Sequence, residues 1–259
     1  MAAALGDAPV DQRVRDGLLD LFERSSAYIV NSGTAPEGPP GECVHSEIGT
    51  RWREQLALDD LVAAIRRDDA SRGLKLAEGV ILKRRFARDR AVLAHVLGLM
   101  TGCRNGSFIE YAERELEADH ALVHVRNRHG RTLLQDAASA GSLRMTELLL
   151  RLGADPNVGI ADGRTPLYCV ANECQVAGGG EVVRALVRAG ALVNAAIGVK
   201  RCTALHMAAR RGNVEVAEAL LECGADIGAR DRGGDTPLQR AKNCRKGGVV
   251  GVLASRGVG

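Results

Sequence analysis

Threonines at 132, 165, 203 and 236 stand 33, 38 and 33 residues apart, and glycines at 153, 190, 224 and 257 stand 37, 34 and 33 apart. A period near 33 with local insertions constrains this chain more than any other property. Each unit is one small supersecondary element that cannot bury its own apolar face, so copies must stack to make a core. The best-kept copy is TALHMAARRGNVEVAEALLECGAD, Thr203 to Asp226. Thr203 is a good N-cap, because its hydroxyl can accept from an orphan backbone N–H. Leu205, Ala208 and Ala209 form an apolar stripe and Gly212 ends the first helix. Val214, Val216, Ala217, Leu220 and Leu221 stripe a second helix, closed by Gly224. Aromatic residues are only 3% of a chain that is 46% hydrophobic. Such an Ala-, Leu- and Val-built core suits close-packed helices better than a sheet sandwich.

Three further segments carry the period: GRTLLQDAASAGSLRMTELLLRLGADPN, DGRTPLYCVANECQVAGGGEVVRALVRAGALVN and GGDTPLQRAKNCRKGGVVGVLASRG. Over residues 127–257 the chain closely resembles ankyrin repeats, whose pattern is G-x-T-P-L-H-x-A-A near the start and L-L-x-x-G-A-D near the end. The fold this resemblance implies is an all-α solenoid of stacked helix-turn-helix repeats with short finger turns. Only Thr165–Pro166 and Thr236–Pro237 keep the proline at the first helical position. Only His206 keeps the histidine, which Gln135, Tyr168 and Gln239 replace with other hydrogen-bonding side chains. His206 is therefore read as a structural, turn-linking residue.

Three regions are expected. Residues 1–50 hold an amphipathic helix (11–30, with Val14, Leu18, Leu21 and Phe22 at helical spacing) and a flexible Gly/Pro-rich linker (31–50). Residues 51–126 read as helical. LDDLVAAIRRDDASRGLKLAEG is similar to the degenerate opening repeats of ankyrin domains, and FIEYAERELEADHALVHVRNRHGRT resembles a second ankyrin helix leading into a finger. Degenerate capping repeats and an unrelated helical domain are both readings of this region. Residues 127–259 are the repeat domain of about four repeats, the last a C-terminal cap. There Lys242 stands where Ala138, Ala171 and Ala209 stand in the others, and Gly247, Gly248 and Gly251 favour fraying. The segment NECQVAGGG, between the helices of the second repeat, is four residues longer than its counterparts. It reads as a glycine-loosened turn or as a projecting contact loop.

Little points to catalysis. The seven cysteines include no C-x-x-C pair, and the opening MAAALGDAPVDQ lacks a basic n-region, so a reduced, cytoplasmic protein is expected. No apolar run reaches the roughly 18 residues of a membrane span. There is no phosphate-binding G-x-x-x-x-G-K-[ST] loop and no G-x-S-x-G elbow. His120 and His124 have an i,i+4 spacing that can hold zinc, but no carboxylate or thiol cluster completes a site. Cys169 and Cys174 likewise lack a second pair. The basic run KRRFARDR (83–90) could be a nuclear address or nucleic-acid patch, yet Leu82 and Phe86 place it along the solvated face of an amphipathic helix. No cofactor and no metal are expected, and the protein is expected not to be an enzyme.

What remains is recognition. The resemblance implies a macromolecular partner bound on the concave side, made of finger tips and first helices. Carried over by position, the finger tips contribute Arg128, His129, Arg131, Asp162, Arg164, Lys200, Arg201, Arg232 and Asp235. The first-helix ends contribute Ser139, Ala140, Arg210 and Arg211. Most are cationic, and arginine forks suit carboxylates, so another protein with an acidic surface or peptide is the expected partner of a monomeric scaffold, adaptor or inhibitor. Two readings compete: an enzyme or sensor residing in residues 1–122 with the repeats as targeting arm, and nucleic-acid binding through the basic stripe. Against the latter, the formal net charge is only +3.

Overall fold

The computed structural model describes residues 42–256. The chain divides between Ala57 and Leu58 into two compact units. Among the described residues there are thirteen α-helices, one 3-10 helix and isolated β-bridges. The helix expected over 11–30 lies outside the described residues. Of the stretch expected as a linker, the described part is helical, because α1 (Glu42–Arg66) begins at Glu42. No proline follows Pro40 in this stretch, and Gly49 alone, at about 1 kcal/mol against alanine, does not stop a helix.

Leu58, Leu61, Ala64 and Ile65, late in α1, open the core of the second unit. Then come α2 (Ala70–Ala77), α3 (Val80–Arg88), α4 (Arg90–Met100) and α5 (Gly106–Ala118). The starts of α2, α4 and α5 follow from capping side chains, while α3 begins after Gly79 with none. Asp69 accepts from Arg72 N, Asp89 from Val92 N and Asn105 from Ser107 N. The expected basic run lies largely on α3, with Leu82 and Phe86 buried and Lys83 and Arg84 exposed. His120–His124 forms a 3-10 turn, not an α-helix. Residues i and i+3 eclipse in such a turn, so His120 and His124 do not share the face that zinc would need.

Four helix pairs follow: α6 (Leu133–Ala140) with α7 (Leu143–Arg151), α8 (Pro166–Glu173) with α9 (Gly179–Arg188), α10 (Ala204–Arg211) with α11 (Val214–Glu222), and α12 (Pro237–Asn243) with α13 (Gly247–Arg256). First helices pack side by side in the order α6, α8, α10, α12, and second helices in the order α7, α9, α11, α13. The alanines explain the closeness: Ala137, Ala138, Ala171, Ala208, Ala209 and Ala241 are all buried and let neighbouring backbones approach. Leu134, Leu149, Leu167, Leu186, Leu205 and Leu220 fill the space between the layers. Each buried leucine contributes about 1.5–3 kcal/mol.

Capping boxes open α6, α10 and α12, built from Thr132–Gln135, Thr203–His206 and Thr236–Gln239. The residue at the third helical position also ties one repeat to the next. Gln135 Nε2 donates to Val158 O and Arg164 O at 3.1 and 2.8 Å, and His206 Nε2 lies 3.0 Å from Asp235 O. His206 is 1% exposed, so it is the turn-linking residue the sequence suggested. On the other edge, Asn157 Nδ2 donates to Gly190 O while its Oδ1 accepts from Leu192 N. Asn194 repeats this with Gly224 O and Asp226 N.

Helices of residues 58–118 continue the stack. α4 packs on α6, α5 on α7 and α2 on α5. Arg144 of α7 forks onto both carboxylate oxygens of Glu113 in α5 at 2.6 Å. In the long second repeat the inserted turn is neither loose nor wholly projecting. Glu215 of α11 accepts from Gly178 N and Gly180 N at 3.1 and 3.0 Å, holding the start of α9, while Cys174 is buried and Val176 is exposed. In the last repeat α13 is formed, anchored by Val249 and Leu253, both 0% exposed.

Candidate partner-binding face

Three of the four fingers are tight reversals made by a short side chain. Asn127 Oδ1 accepts from His129 N and Arg131 N, Asp162 Oδ1 from Arg164 N, and Asp231 Oδ1 from Gly233 N and Asp235 N. Cross-finger bonds close the first, second and fourth fingers four residues apart, from Asn127 N to Arg131 O, Ile160 N to Arg164 O and Asp231 N to Asp235 O. The third is closed five apart, between Ile197 and Cys202. Its extra residue is accommodated by Gly198 at φ +69° and by Arg201 at φ +50°, a left-handed conformation that arginine rarely adopts.

The structure sorts the expected binding residues into two groups. Arg131 and Arg164 are engaged internally. Arg131 Nε lies 2.7 Å from Asp136 Oδ1, its Nη1 donates to Glu173 Oε2 at 2.9 Å, and its Nη2 bonds to Ser139 Oγ and Gln135 O. Arg164 pairs with Asp162 at 2.7 Å and with Glu173 at 3.5 Å. Burial pushes the Glu173 carboxyl up, but hydrogen bonds from Arg131 and Ser139 outweigh it and leave the pKa below the usual range. For the more deeply placed Asp136, burial outweighs Arg131 and raises the pKa. The linear pattern did not reveal Asp136 and Glu173, which turn two of the expected contact arginines into a clasp between repeats.

Arg128, His129, Lys200, Arg201 and Arg232 are exposed at finger tips. Arg232 N donates to Lys200 O at 2.8 Å, joining the third tip to the fourth. The His129 ring meets that of His95 edge-on, with centroids 5.3 Å apart. Arg210 Nη2 and Arg211 Nε both donate to one oxygen, Asn172 Oδ1, at 2.9 and 3.1 Å. Neither arginine pairs with a carboxylate among the described residues. Asp235 binds locally, 3.6 Å from Arg240, whose principal partner is the fully buried carboxylate of Asp231. Burial raises the Asp231 pKa, but the Arg240 bond and the finger amides more than offset this and hold it low.

Nothing in this face arranges a nucleophile beside a base. Burial pushes the Cys169 thiol up to about 12 and the Cys103 thiol up to about 11, the reverse of activation. Among the described residues no group of three His, Cys, Asp or Glu side chains could hold a metal ion.

Finger, helix, turn and helix in register four times over is one family's architecture, and the family profiles agree. "Ankyrin repeats (3 copies)" matches residues 153–231 and 174–258, and "Ankyrin repeat" matches 129–159. The chain is an ankyrin repeat protein. Among similar proteins, human ankyrin repeat and SOCS box protein 16 is 38% identical over 112 residues, covering 43% of this chain and 24% of its own. Mouse B-cell lymphoma 3 protein homolog is 36% identical over 136 residues, 52% of this chain and 29% of its own. Bovine mitochondrial disaggregase is 32% identical over 175 residues, 65% of this chain and 25% of its own. The matched stretch thus spans about a quarter of these relatives' length. Ankyrin repeats bind other proteins as a class, and the solenoid described here is such a module. No helix among the described residues is long and apolar enough to cross a membrane.

Proposed function

We propose that this ankyrin repeat protein is a non-catalytic scaffold, adaptor or inhibitor that takes an acidic surface or peptide of another protein on the concave face of finger tips and first helices. The observation that carries this reading is the row of exposed, carboxylate-free cations at Arg128, Lys200, Arg201 and Arg232, with Arg128 and Arg232 on fingers held by the Asn127 and Asp231 side chains and Lys200 and Arg201 on a finger closed by the Ile197–Cys202 backbone pair. A surface fixed in this way loses little conformational entropy when a partner docks.

The direct packing of α4 and α5 on the first clear repeat supports reading residues 51–126 as degenerate capping repeats, not as a catalytic domain carrying the repeats as an arm. The similarity covering 65% of the chain, longer than the profile-matched stretch, points the same way. Six free cysteines among the described residues fit a reducing compartment such as the cytoplasm. The face has no row of exposed aromatic rings on which bases could stack, which favours protein over nucleic acid.

The test is to capture a partner from lysate, identify it by mass spectrometry and rebuild the binary complex from purified components. Arg128→Glu with Arg232→Glu is expected to weaken that complex, and Arg151→Glu on the second-helix side to leave it intact. A complex indifferent to the double substitution would remove the face from the mechanism. Mass measurement in solution checks that one copy suffices.

A further inference from the structure

The four repeats present different charge at equivalent positions. At the finger tip and first-helix end, the first repeat carries Arg128 and His129 with Ser139 and Ala140, and the second carries Asp162 and Arg164 with Asn172 and Glu173. The third carries Lys200 and Arg201 with Arg210 and Arg211, and the fourth Arg232 with Asn243 and Cys244. Among the four, only the third places cations at both levels, and its neighbour extends them through Arg232, bonded to Lys200.

Internal carboxylates decide which arginines remain available. In the first half, Glu173 and Asp136 lie against Arg131, and Glu173 and Asp162 lie against Arg164. One residue before Glu173, the position facing Arg210 and Arg211 is Asn172, isosteric with aspartate but neutral. Its amide oxygen orients both guanidinium groups and leaves their charge standing. Arg210 Nε is buried without a hydrogen-bond partner. A second, independent feature marks the same place. The lengthened third finger holds Arg201 in a left-handed backbone conformation and exposes Val199 to 79% beside Lys200. Strain of this kind persists only where surroundings impose it, and it concentrates at binding sites.

We infer that partner binding is concentrated on the third and fourth repeats, where Asn172 presents an un-neutralised Arg210–Arg211 pair to side-chain carboxylates of an acidic peptide, with Lys200, Arg201 and Arg232 flanking it and Val199 offering an apolar contact. Asn172 is the specificity-determining residue, and Arg131 with Arg164 serves structure. This inference rests on the concave-face reading and narrows it. An acidic peptide fits better than nucleic acid, because Asp235 and the Asp162–Arg164 pair interrupt the basic stripe that a run of phosphates would follow.

The experiment uses a fluorescein-labelled oligo-glutamate peptide and the full chain, followed by fluorescence anisotropy at low and physiological salt. Asn172→Asp supplies the missing internal anion without changing shape. It is expected to weaken binding by about tenfold or more while thermal stability holds or rises. Arg210→Glu with Arg211→Glu is expected to abolish binding, and Glu173→Gln, which frees the clasp, to leave it no weaker. If Arg128→Glu removes binding while Asn172→Asp does not, the location is wrong and the face survives. If none of these substitutions matters, the face itself is wrong. If the wild type ignores the peptide at low salt, or prefers an oligothymidylate probe through the same arginines, the acidic-peptide class is overturned.

Discussion

Replacing glycine by alanine inside a helix ordinarily stabilises it by about 0.5–1 kcal/mol, because glycine gives up more backbone freedom on folding. Gly98, in the last turn of α4, should do the opposite. A Cβ there would stand 2.4 Å from Asp136 Oδ2, 3.0 Å from Cγ and 3.2 Å from Cβ. Asp136 has nowhere cheap to go, since Oδ1 is 2.7 Å from Arg131 Nε and Oδ2 accepts from Asn127 Nδ2 at 3.1 Å. If the carboxylate stays, overpacking costs about 1–3 kcal/mol. If it retreats, a charge-assisted hydrogen bond worth about 1.5–3 kcal/mol is lost, together with the side chain that steadies the first finger. Subtracting the propensity gain leaves a net loss of about 1–2 kcal/mol, or roughly 2–8 °C in Tm for a folded unit of this size. Gly251 is the control: it lies inside α13 with nothing within 4 Å of a new Cβ. Gly251→Ala should therefore keep the favourable sign and slow amide exchange across α13. Urea unfolding of both variants measures the contrast. A Gly98→Ala protein as stable as, or more stable than, the parent would refute the idea that α4 is keyed against the first clear repeat through Asp136.

Glu215→Ala should cost about 1 kcal/mol, because it removes the carboxylate that accepts from Gly178 N and Gly180 N at the positive end of α9. Faster hydrogen exchange at those amides and quicker proteolysis near Val176 are the local readouts, and unchanged protection would contradict the assignment. His206→Gln should flatten the acid limb of stability. Burial lowers the His206 pKa below its ordinary 6.5. Between the two values the unfolded chain binds a proton that the native chain refuses, so stability falls as pH drops below about 6.5. Glutamine already does the same linking work at Gln135. Denaturation at pH 7 and pH 5 should show a smaller difference in the variant. A residual slope is expected from His95, whose pKa is also lowered by burial and by nearby Arg128.

How much of this was readable in the sequence depends on whether a residue's role repeats. Thr132, Thr165, Thr203 and Thr236 open helices for the same geometric reason each time, so their spacing exposed the array before any coordinate. Asn157 and Asn194 recur four residues after Gly153 and Gly190, and this was a signal available but unread. Glu173 carries no such mark. It appears once, and whether its carboxylate turns toward Arg131 or outward depends on how neighbouring helices are phased, which linear spacing does not encode. Arg131 and Arg164 thus looked as available as Arg210 and Arg211. The start of α1 at Glu42 was hidden by the prolines just upstream, which suggested a linker extending further than they reach. The 3-10 turn at His120 arises because the Asp119 carboxylate accepts from Ala121 N immediately after α5, a local competition that an i,i+4 count cannot register.

The asparagine links have a mechanical corollary. Asn157 and Asn194 each strap one repeat to the next with two hydrogen bonds, but the corresponding position before the last repeat is Gly228, which has no side chain to reach across. The junctions therefore differ in grip. Under a pulling force along the array, the seam between the third and fourth repeats should part at lower load than the two before it. The last repeat would then peel away as a separate early step, carrying Arg232 off the third finger while the straps upstream still hold.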